Sequence, residues 1–319
     1  MKRTIISVFV ALLATVTVQA QQIAVVSGST TTMYQTLAEA IEGATDGCTI
    51  YLPGGGFQIA DETKITKQVT IIGIGHKSQS ENADGNTVIS GNLFFNEGSS
   101  GSAVMGCYIS GNVNIGADEK SVNNILVRYC NLNAFTVKSN LCTGTEINRN
   151  YIRSTCNGGN AAVEVTNNVI NQLWYVSGGI VRNNVFPSGV SNGDFCLEQI
   201  ENSNISENIV YTGIYGTSQS VGSNNIVYTN TRFTFGDNCV NLNGDEWNAL
   251  FVKNAGVSPA SDFHFTENYQ KYSGIGIYGG TGFTDSGMAP VPFIEAKDIP
   301  DKTDAAGKLK IKIRVKASE

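Results

Sequence analysis

Four charged residues occupy fixed places in a short repeated phrase, and their types and spacing suggest acid–base chemistry. Glu146 and Glu164 each lie four residues before a repeated asparagine. Arg128 and Arg182 lie two residues before the matching position of the repeats on either side. If the repeats are strands stacked in register, all four side chains share one outward face, and the two carboxylates are about 5 Å apart. Retaining glycosidases use that separation, and flanking arginines would neutralise a sugar acid. The alternative interpretation is a strip of ion pairs in which each glutamate has an arginine within reach.

A second set of candidates is aromatic. Tyr211 and Tyr228 each lie three residues after a repeated asparagine, on consecutive repeats. Together with Trp174 and Tyr175, they suggest a platform for sugar rings. The alternative is an ordinary row of stacked tyrosines on a sheet.

Two further arginines flank one tyrosine of the third repeat. Arg149 and Arg153 lie two residues on either side of Tyr151. Guanidinium groups so placed suggest bidentate binding of a sulfate or carboxylate, with solvated turn residues as the alternative. The two histidines, His76 and His264, are too far apart in sequence to suggest a catalytic pair.

The elements that position these residues come from the repeat itself. The phrase is an inward apolar residue, two variable residues, Asn or Cys, and two mostly apolar residues. The Asn or Cys positions are Cys107, Cys130, Asn150, Asn168, Asn184, Asn208 and Asn225. This unit is too short and irregular for helical pairs or propeller blades. It predicts coils of short strands that stack about 4.8 Å apart and bury their apolar faces against each other.

The repeated asparagine has a physical role in such a coil. A sharp bend leaves backbone N–H and C=O groups facing the interior, and a carboxamide can satisfy its own turn and that of the next coil. Cys107 and Cys130 are expected as buried, reduced thiols of the same column, because stacked side chains point in parallel. The chain has seven Cys, an odd number, and no C-x-x-C motif or Cys/His cluster. We therefore expect no metal site and no cofactor.

The phrase resembles the "I-x-x-N-x-I" of the right-handed parallel β-helix proteins, the pectin-lyase-like family. The helix expected at Thr36–Asp46, the strand beginning at Cys48, and the closing phrases Asp262–Phe265 and Gly274–Gly280 also resemble exported members. The resemblance implies an all-β fold, a single-stranded right-handed parallel β-helix solenoid with an N-terminal helical cap and a C-terminal β closure. The family includes lyases, glycosidases, esterases and proteins without known activity. Its catalytic signatures are absent here.

The chain divides into five expected segments. Lys2 and Arg3, the apolar run to Val16 and the small-residue pattern ending at Ala20 predict a signal peptide over 1–20. The cap and first coils occupy 21–100, and the core coils with the Asn/Cys ladder occupy 101–240. A closing segment follows at 241–283, and a linker with a terminal β-strand at 284–319. The protein is thus expected to be secreted or periplasmic, with attachment at the cell surface as an alternative, and not to span a membrane.

Composition excludes one class of partner. The chain has 21 Lys and Arg against 27 Asp and Glu, a net charge of −6 that becomes about −8 without Lys2 and Arg3. An acidic chain is a poor ligand for nucleic acid.

The expected function is a non-catalytic exported β-helix that binds, or is displayed on, polysaccharide. The alternatives are a divergent polysaccharide lyase or glycoside hydrolase using Glu146 and Glu164, and a structural, adhesin-like surface protein.

Overall fold

The computed structural model confirms the predicted architecture. It describes residues 22–317 except 62, 78–84, 118, 189–194, 229–235, 285–286, 291, 299 and 301. The expected signal peptide, residues 1–20, lies outside the described residues. The chain forms an all-β, right-handed parallel β-helix of about 8 turns.

The elements follow each other in short runs. The N-terminal ones are β1 (Ile23–Ser27), β2 (Thr30–Tyr34), α1 (Leu37–Gly43), β3 (Cys48–Leu52), β4 (Gly55–Gln58), β5 (Lys64–Ile65), β6 (Val69–Gly73), β7 (Thr87–Ser90) and β8 (Leu93–Phe95). The central ones are β9 (Ala103–Met105), β10 (Tyr108–Ile115), β11 (Leu126–Arg128), β12 (Asn131–Val137), β13 (Thr145–Asn148), β14 (Tyr151–Ala161), β15 (Val163–Thr166), β16 (Val169–Ser177), β17 (Ile180–Arg182), β18 (Val185–Phe186), β19 (Leu197–Glu201), β20 (Asn204–Ser206), β21 (Ile209–Val210), β22 (Ile214–Tyr215), β23 (Val221–Ser223), β24 (Ile226–Tyr228) and β25 (Val240–Leu242). The C-terminal ones are α2 (Gly244–Leu250), β26 (Phe251–Lys253), β27 (Asp262–Phe265), a 3₁₀ helix (Glu267–Tyr272), β28 (Pro292–Asp298) and β29 (Lys312–Ala317).

Two long sheets form the wall of the coils. The first sheet has 11 strands in the order β2-β1-β3-β6-β9-β11-β13-β15-β17-β20-β23. The second sheet has 14 strands and runs from β4 to β25 through β10, β12, β14 and β16, with β5, β8, β19 and β22 beside this path. In the central coils, the chain passes from a strand of the first sheet, through a tight corner, into a strand of the second. Strands of successive coils pair in parallel, so equivalent residues form columns along the axis.

The corner between the sheets contains the ladder. The backbone N–H of Asn150 donates to Oδ1 of Asn168 at 2.8 Å, and the same bond joins Asn168 to Asn184 at 3.0 Å. It continues through Asn208 to Asn225, and all five asparagines are completely buried. The predicted single buried column is therefore confirmed.

The residue before each ladder position adopts the left-handed conformation: Gly106, before Cys107, has φ of 66°, and the six non-glycine residues have φ between 54° and 58°. These residues are Tyr129, Arg149, Asn167, Asn183, Glu207 and Asn224. Asparagine tolerates this conformation better than most residues, which accounts for the Asn-Asn pairs in the sequence. The sharp corner follows from this repeated backbone shape.

The N-terminal cap differs in part from the expectation. Helix α1 has the predicted capping box of Thr36 and Glu39, but it ends at Gly43 and not at Asp46. A helix was expected to cover the edge of the first coil. Instead β1 pairs antiparallel with β3, and β2 extends the sheet beyond it. The hairpin thus blocks further parallel stacking, while the buried face of α1 packs into the core.

All seven cysteines are free of disulfides, and six of them are buried. Burial raises the pKa of the Cys130 thiol to about 12, and it raises the pKa of Cys107 and Cys156 as well. The expectation of buried, reduced thiols at Cys107 and Cys130 is confirmed.

Thiol labelling tests this arrangement. We expect a colorimetric disulfide reagent at pH 8 to modify at most one cysteine of the native protein, the partly exposed Cys239, because buried protonated thiols are poor nucleophiles. In denaturant all seven should react. Native reaction of two or more thiols would contradict the buried column.

A second apolar layer lies outside the coils, on the second sheet. It consists of the outward residues that follow the ladder positions, Tyr151, Val169, Val185, Ile209 and Ile226. They are buried under aromatic residues of the C-terminal part, chiefly Trp247, Phe251, Phe263, Phe265 and Phe283. The wall of the coils is therefore apolar on both sides here.

A segment that we call the strap, residues 274–284 and 287–289, runs back along the corner toward the N-terminal coils. Near its start, the N–H of Gly276 donates to the carbonyl of Glu207 at 2.8 Å. Near its end, the carbonyl of Gly287 accepts from the N–H of His76 at 3.2 Å. The strap thus ties late coils to early ones.

The C-terminal region holds one strand more than expected. The presumed linker contains β28, which pairs antiparallel with β29. The terminal β-strand expected within 284–319 is β29, which begins at Lys312. The alternating apolar residues in and just before this strand are 43% to 61% exposed, so they do not contribute to the core: Leu309, Ile311, Ile313 and Val315.

Candidate functional site

A groove of about 430 Å³ lies on the outer face of the first sheet, beside the strap. The sheet contributes Arg128, Glu146, Asn148, Glu164, Thr166 and Arg182. The strap contributes Gly280 and Thr281 as the opposite wall. The groove crosses four coils, so a ligand in it would lie along the axis of the β-helix.

Strand register brings the four predicted charged residues together. Glu146 of β13 is directly paired with Glu164 of β15. Arg128 and Arg182 are in register with Asn148 and Thr166, two residues further along these strands. All four charged side chains therefore reach one groove, and their role there stays a prediction.

The ion pairs differ from the expected pattern. Nη2 of Arg128 lies 3.4 Å from Oε2 of Glu146, as the ion-pair interpretation requires. Nε of Arg182 instead lies 2.6 Å from Oε2 of Glu207, on the next coil, and this hydrogen bond raises the pKa of Arg182. Within the described part of the chain, Glu164 makes no ion pair or hydrogen bond. An exposed carboxylate without a cation thus lies at the centre of the groove.

The surroundings of Glu146 and Glu164 bear on whether either could act as a general acid. A general acid for glycoside hydrolysis needs a raised pKa, which burial away from cations supplies. The Glu146 side chain is 50% exposed and has a guanidinium beside it, and Glu164 is also exposed. Neither carboxyl group has the apolar surroundings of such an acid.

Arg149 holds the strap through its guanidinium group. Its Nε donates to the carbonyl of Gly282 at 2.7 Å, and its Nη2 donates to that of Thr281 at 2.9 Å. Nη1 donates to Oδ1 of Asn148 at 2.8 Å. Since these donors are used within the chain, Arg149 builds the groove wall.

Arg153 lies elsewhere and is also engaged. Its Nη2 donates to the carbonyl of Ile109 at 3.0 Å, Nη1 donates to Asn131, and the guanidinium lies 4.6 Å from the ring centre of Tyr108. Burial lowers the pKa of Arg153. Arg149 and Arg153 thus use donors within the chain at two separate places, and binding of a sulfate or carboxylate by either stays a prediction.

The four predicted aromatic residues do not form one platform. Tyr211 and Tyr228 stack at 4.9 Å, but Trp247 packs against both, so they belong to the outer apolar layer. Trp174 and Tyr175 lie further along β16, where its partner strand is β19 and not β18. The stacking of the two tyrosines was predicted correctly from the sequence, but the packing of Trp247 over them was not.

Sequence reasoning missed the strap wall of the groove and the partner of Arg182. Asn167 Nδ2 donates to the carbonyls of Ile277 and Gly279, more than 100 residues away. The Asn-Asn pairs of the repeat carried a signal, since one asparagine faces the interior and the other faces the strap.

The described residues, 22–317 with the gaps given above, contain no group of three or more His, Cys, Asp or Glu placed to hold a metal ion. In the same part of the chain, no helix has the length and apolar character needed to cross a bilayer. Comparisons with protein-family models, with curated proteins and with solved structures found no match to this chain.

Proposed function

We propose that this chain is an exported β-helix protein that binds a polysaccharide along the groove without cleaving it. The observation that carries the proposal is the polar groove beside the strap, which contains the carboxylate of Glu164, unpaired within the described part of the chain. The leader-like residues 1–20 support export, to the periplasm or the cell surface.

The groove offers hydrogen-bonding groups at a regular interval. Side chains of successive coils recur about every 4.8 Å along it. Glu164 accepts hydrogen bonds, while the Nη groups of the 49% exposed Arg182 side chain donate them. Sugar hydroxyls both donate and accept, so a polymer lying along the axis matches both kinds of group.

The rigidity of the floor also favours recognition of a polymer. Nδ2 of Asn148 donates to Oγ1 of Thr166 at 2.6 Å, and both side chains are buried. Arg149 ties this floor to the strap, as described above. A site held in place before binding loses little conformational entropy when the ligand arrives.

The test is calorimetric titration with a panel of neutral and acidic polysaccharides. For the polymer that binds, Glu164→Gln is expected to weaken binding about five- to tenfold, or about 1–1.4 kcal/mol, because a charged acceptor becomes a neutral one. Glu42→Gln, at an exposed glutamate of α1, is the matched control and should bind like the wild type. No binding by any polymer, or equal binding by Glu164→Gln, would overturn the proposal.

The same panel separates the two alternative functions. A lyase would generate an unsaturated product that absorbs in the near ultraviolet, and a hydrolase would release new reducing ends. If either activity appears and is lost in both Glu146→Gln and Glu164→Gln, the protein is an enzyme at this site. A surface fibre subunit would instead show light scattering that rises with protein concentration in the absence of sugar.

A further inference from the structure

We infer that a second ligand site, on the far half of the second sheet, binds the ammonium group of an amino sugar. It does not depend on the groove. Strand register places Trp174 of β16 beside Glu198 of β19, and Glu198 beside Tyr215 of β22. The three residues form one outward row, since their neighbours Leu173, Leu197 and Ile214 are buried in the core.

Aromatic residues flank Glu198 on both neighbouring strands of this row. The ring centres of Phe195 and Tyr215 are 5.0 Å apart with an interplanar angle of 16°. On the other side, Trp174 and Tyr175 meet edge to face at 6.3 Å. Tyr175 and Tyr215 remain 40% and 43% exposed, which is high for large rings on the wall of a core.

Glu198 has no cationic partner among the residues that the structure describes. It makes no ion pair or hydrogen bond with any of them, although it is half-buried between coils that carry aromatic rings. The backbones at Trp174 and Tyr215 are two strand spacings apart, about 9–10 Å, and Glu198 lies on the strand between them. A carboxylate flanked by aromatic rings attracts a positive group through charge pairing and through the negative faces of the rings.

The surrounding surface indicates which cation fits. The flat apolar faces of pyranose rings pack against exposed aromatic rings, and the row continues into Asn157, a hydrogen-bonding residue for a neighbouring sugar. A sugar unit with a free amino group satisfies the rings and the carboxylate together. The acidic net charge of the chain adds a weak, salt-dependent attraction for such a polymer.

The test compares oligosaccharides of glucosamine with the same oligosaccharides fully N-acetylated, below pH 7, by calorimetry. The wild type should bind the free amine at least tenfold more tightly. Glu198→Gln should remove that preference, raising Kd for the amine at least tenfold and leaving Kd for the acetylated form within about twofold. Glu201→Gln, on the same strand, is the matched control and should bind like the wild type.

Other results would overturn the inference. These are absence of binding by the wild type, equal affinity for the two oligosaccharides, and full retention of the preference in Glu198→Gln. Tighter binding of a lysine-rich peptide than of the glucosamine oligomer would assign the site to a protein partner instead. Tyr215→Leu, at an exposed position, provides a second variant, with an expected loss of at least fivefold for both sugars. Glu164→Gln should not change binding of the glucosamine oligomer. A wrong inference about the Glu198 site can therefore be told apart from a wrong proposal about the groove.

Discussion

Replacing Asn168 by alanine is expected to lower the free energy of unfolding by about 3–5 kcal/mol, as for other losses of a buried polar network. Asn168 is completely buried at the middle of the ladder. Its Nδ2 donates to the carbonyl of Ile147 at 2.7 Å, and its Oδ1 accepts from the backbone N–H of Asn150 at 2.8 Å. Alanine leaves both backbone groups without a partner in a dry interior.

The loss extends beyond one coil because each carboxamide serves its neighbours. Oδ1 of Asn168 also accepts from Nδ2 of Asn150 at 3.0 Å, while Nδ2 of Asn168 donates to Oδ1 of Asn184 at 3.1 Å. Hydrogen bonds in such a chain polarise one another, so removing a central member costs more than removing an isolated bond. Asn168→Asp should be at least as damaging, since a carboxylate there cannot donate and would be a buried charge without a cation.

Equilibrium unfolding in denaturant, followed by circular dichroism, measures the effect. Asn204→Ala is the matched control, because Asn204 is an exposed asparagine on β20 of the first sheet, and we expect a change within about 0.5 kcal/mol. A loss below about 1 kcal/mol for Asn168→Ala would mean that the ladder does not support the coils.

The ladder was predictable from sequence because each of its positions is set by the residue spacing within one repeat. Each repeat places its inward residue three positions before the asparagine, as at Val165 and Val181, and stacking aligns these positions without further input. The same count brought Glu146 and Glu164 to paired positions. Wherever one coil follows the previous one in register, sequence spacing translates directly into distance along the axis.

The strap was not predictable because its contacts join distant parts of the chain. The sequence indicates an apolar position at Tyr151. The side chain that packs over it is that of Phe283 in the strap, whose ring centre lies 5.4 Å from that of Tyr151. Tyr211 likewise read as a possible sugar platform because nothing in its repeat indicates that Trp247 packs over it. The surroundings of an outward residue of a solenoid therefore cannot be predicted from its own repeat, because they depend on segments that return along the coils.

Acidification is expected to destabilise the protein through His76, by about 2–3 kcal/mol between pH 7 and pH 4.5. His76 is 4% exposed, and burial lowers its pKa from 6.5 to about 3, with a smaller contribution from Lys77. The unfolded chain binds a proton at this histidine below pH 6.5, whereas the folded chain does not until about pH 3. Stability is therefore complete above pH 6.5 and falls as the pH decreases through this window.

The surroundings of His76 explain why the proton is excluded. Within the described part of the chain, neither ring nitrogen has a hydrogen-bond partner, and the ring meets Tyr151 edge to face at 5.6 Å. Gly287 of the strap lies against the ring with φ of 62°, and a Cβ there would collide with the imidazole. A charged imidazole in this position would find neither an acceptor for its N–H groups nor a counter-ion among the residues that the structure describes.

Denaturant unfolding of the wild type and of His76→Phe at several pH values isolates this contribution from that of the carboxylates. Phenylalanine keeps a ring under the strap but binds no proton, so the difference in stability between the two proteins should shift by 2–3 kcal/mol in favour of the variant between pH 7 and pH 4.5. His264→Gln, at a histidine whose side chain is 54% exposed, should lose as much stability between pH 7 and pH 4.5 as the wild type does. If His76→Phe loses stability as steeply as the wild type, the strap does not enclose an uncharged imidazole, and its end must open to water below pH 6.5.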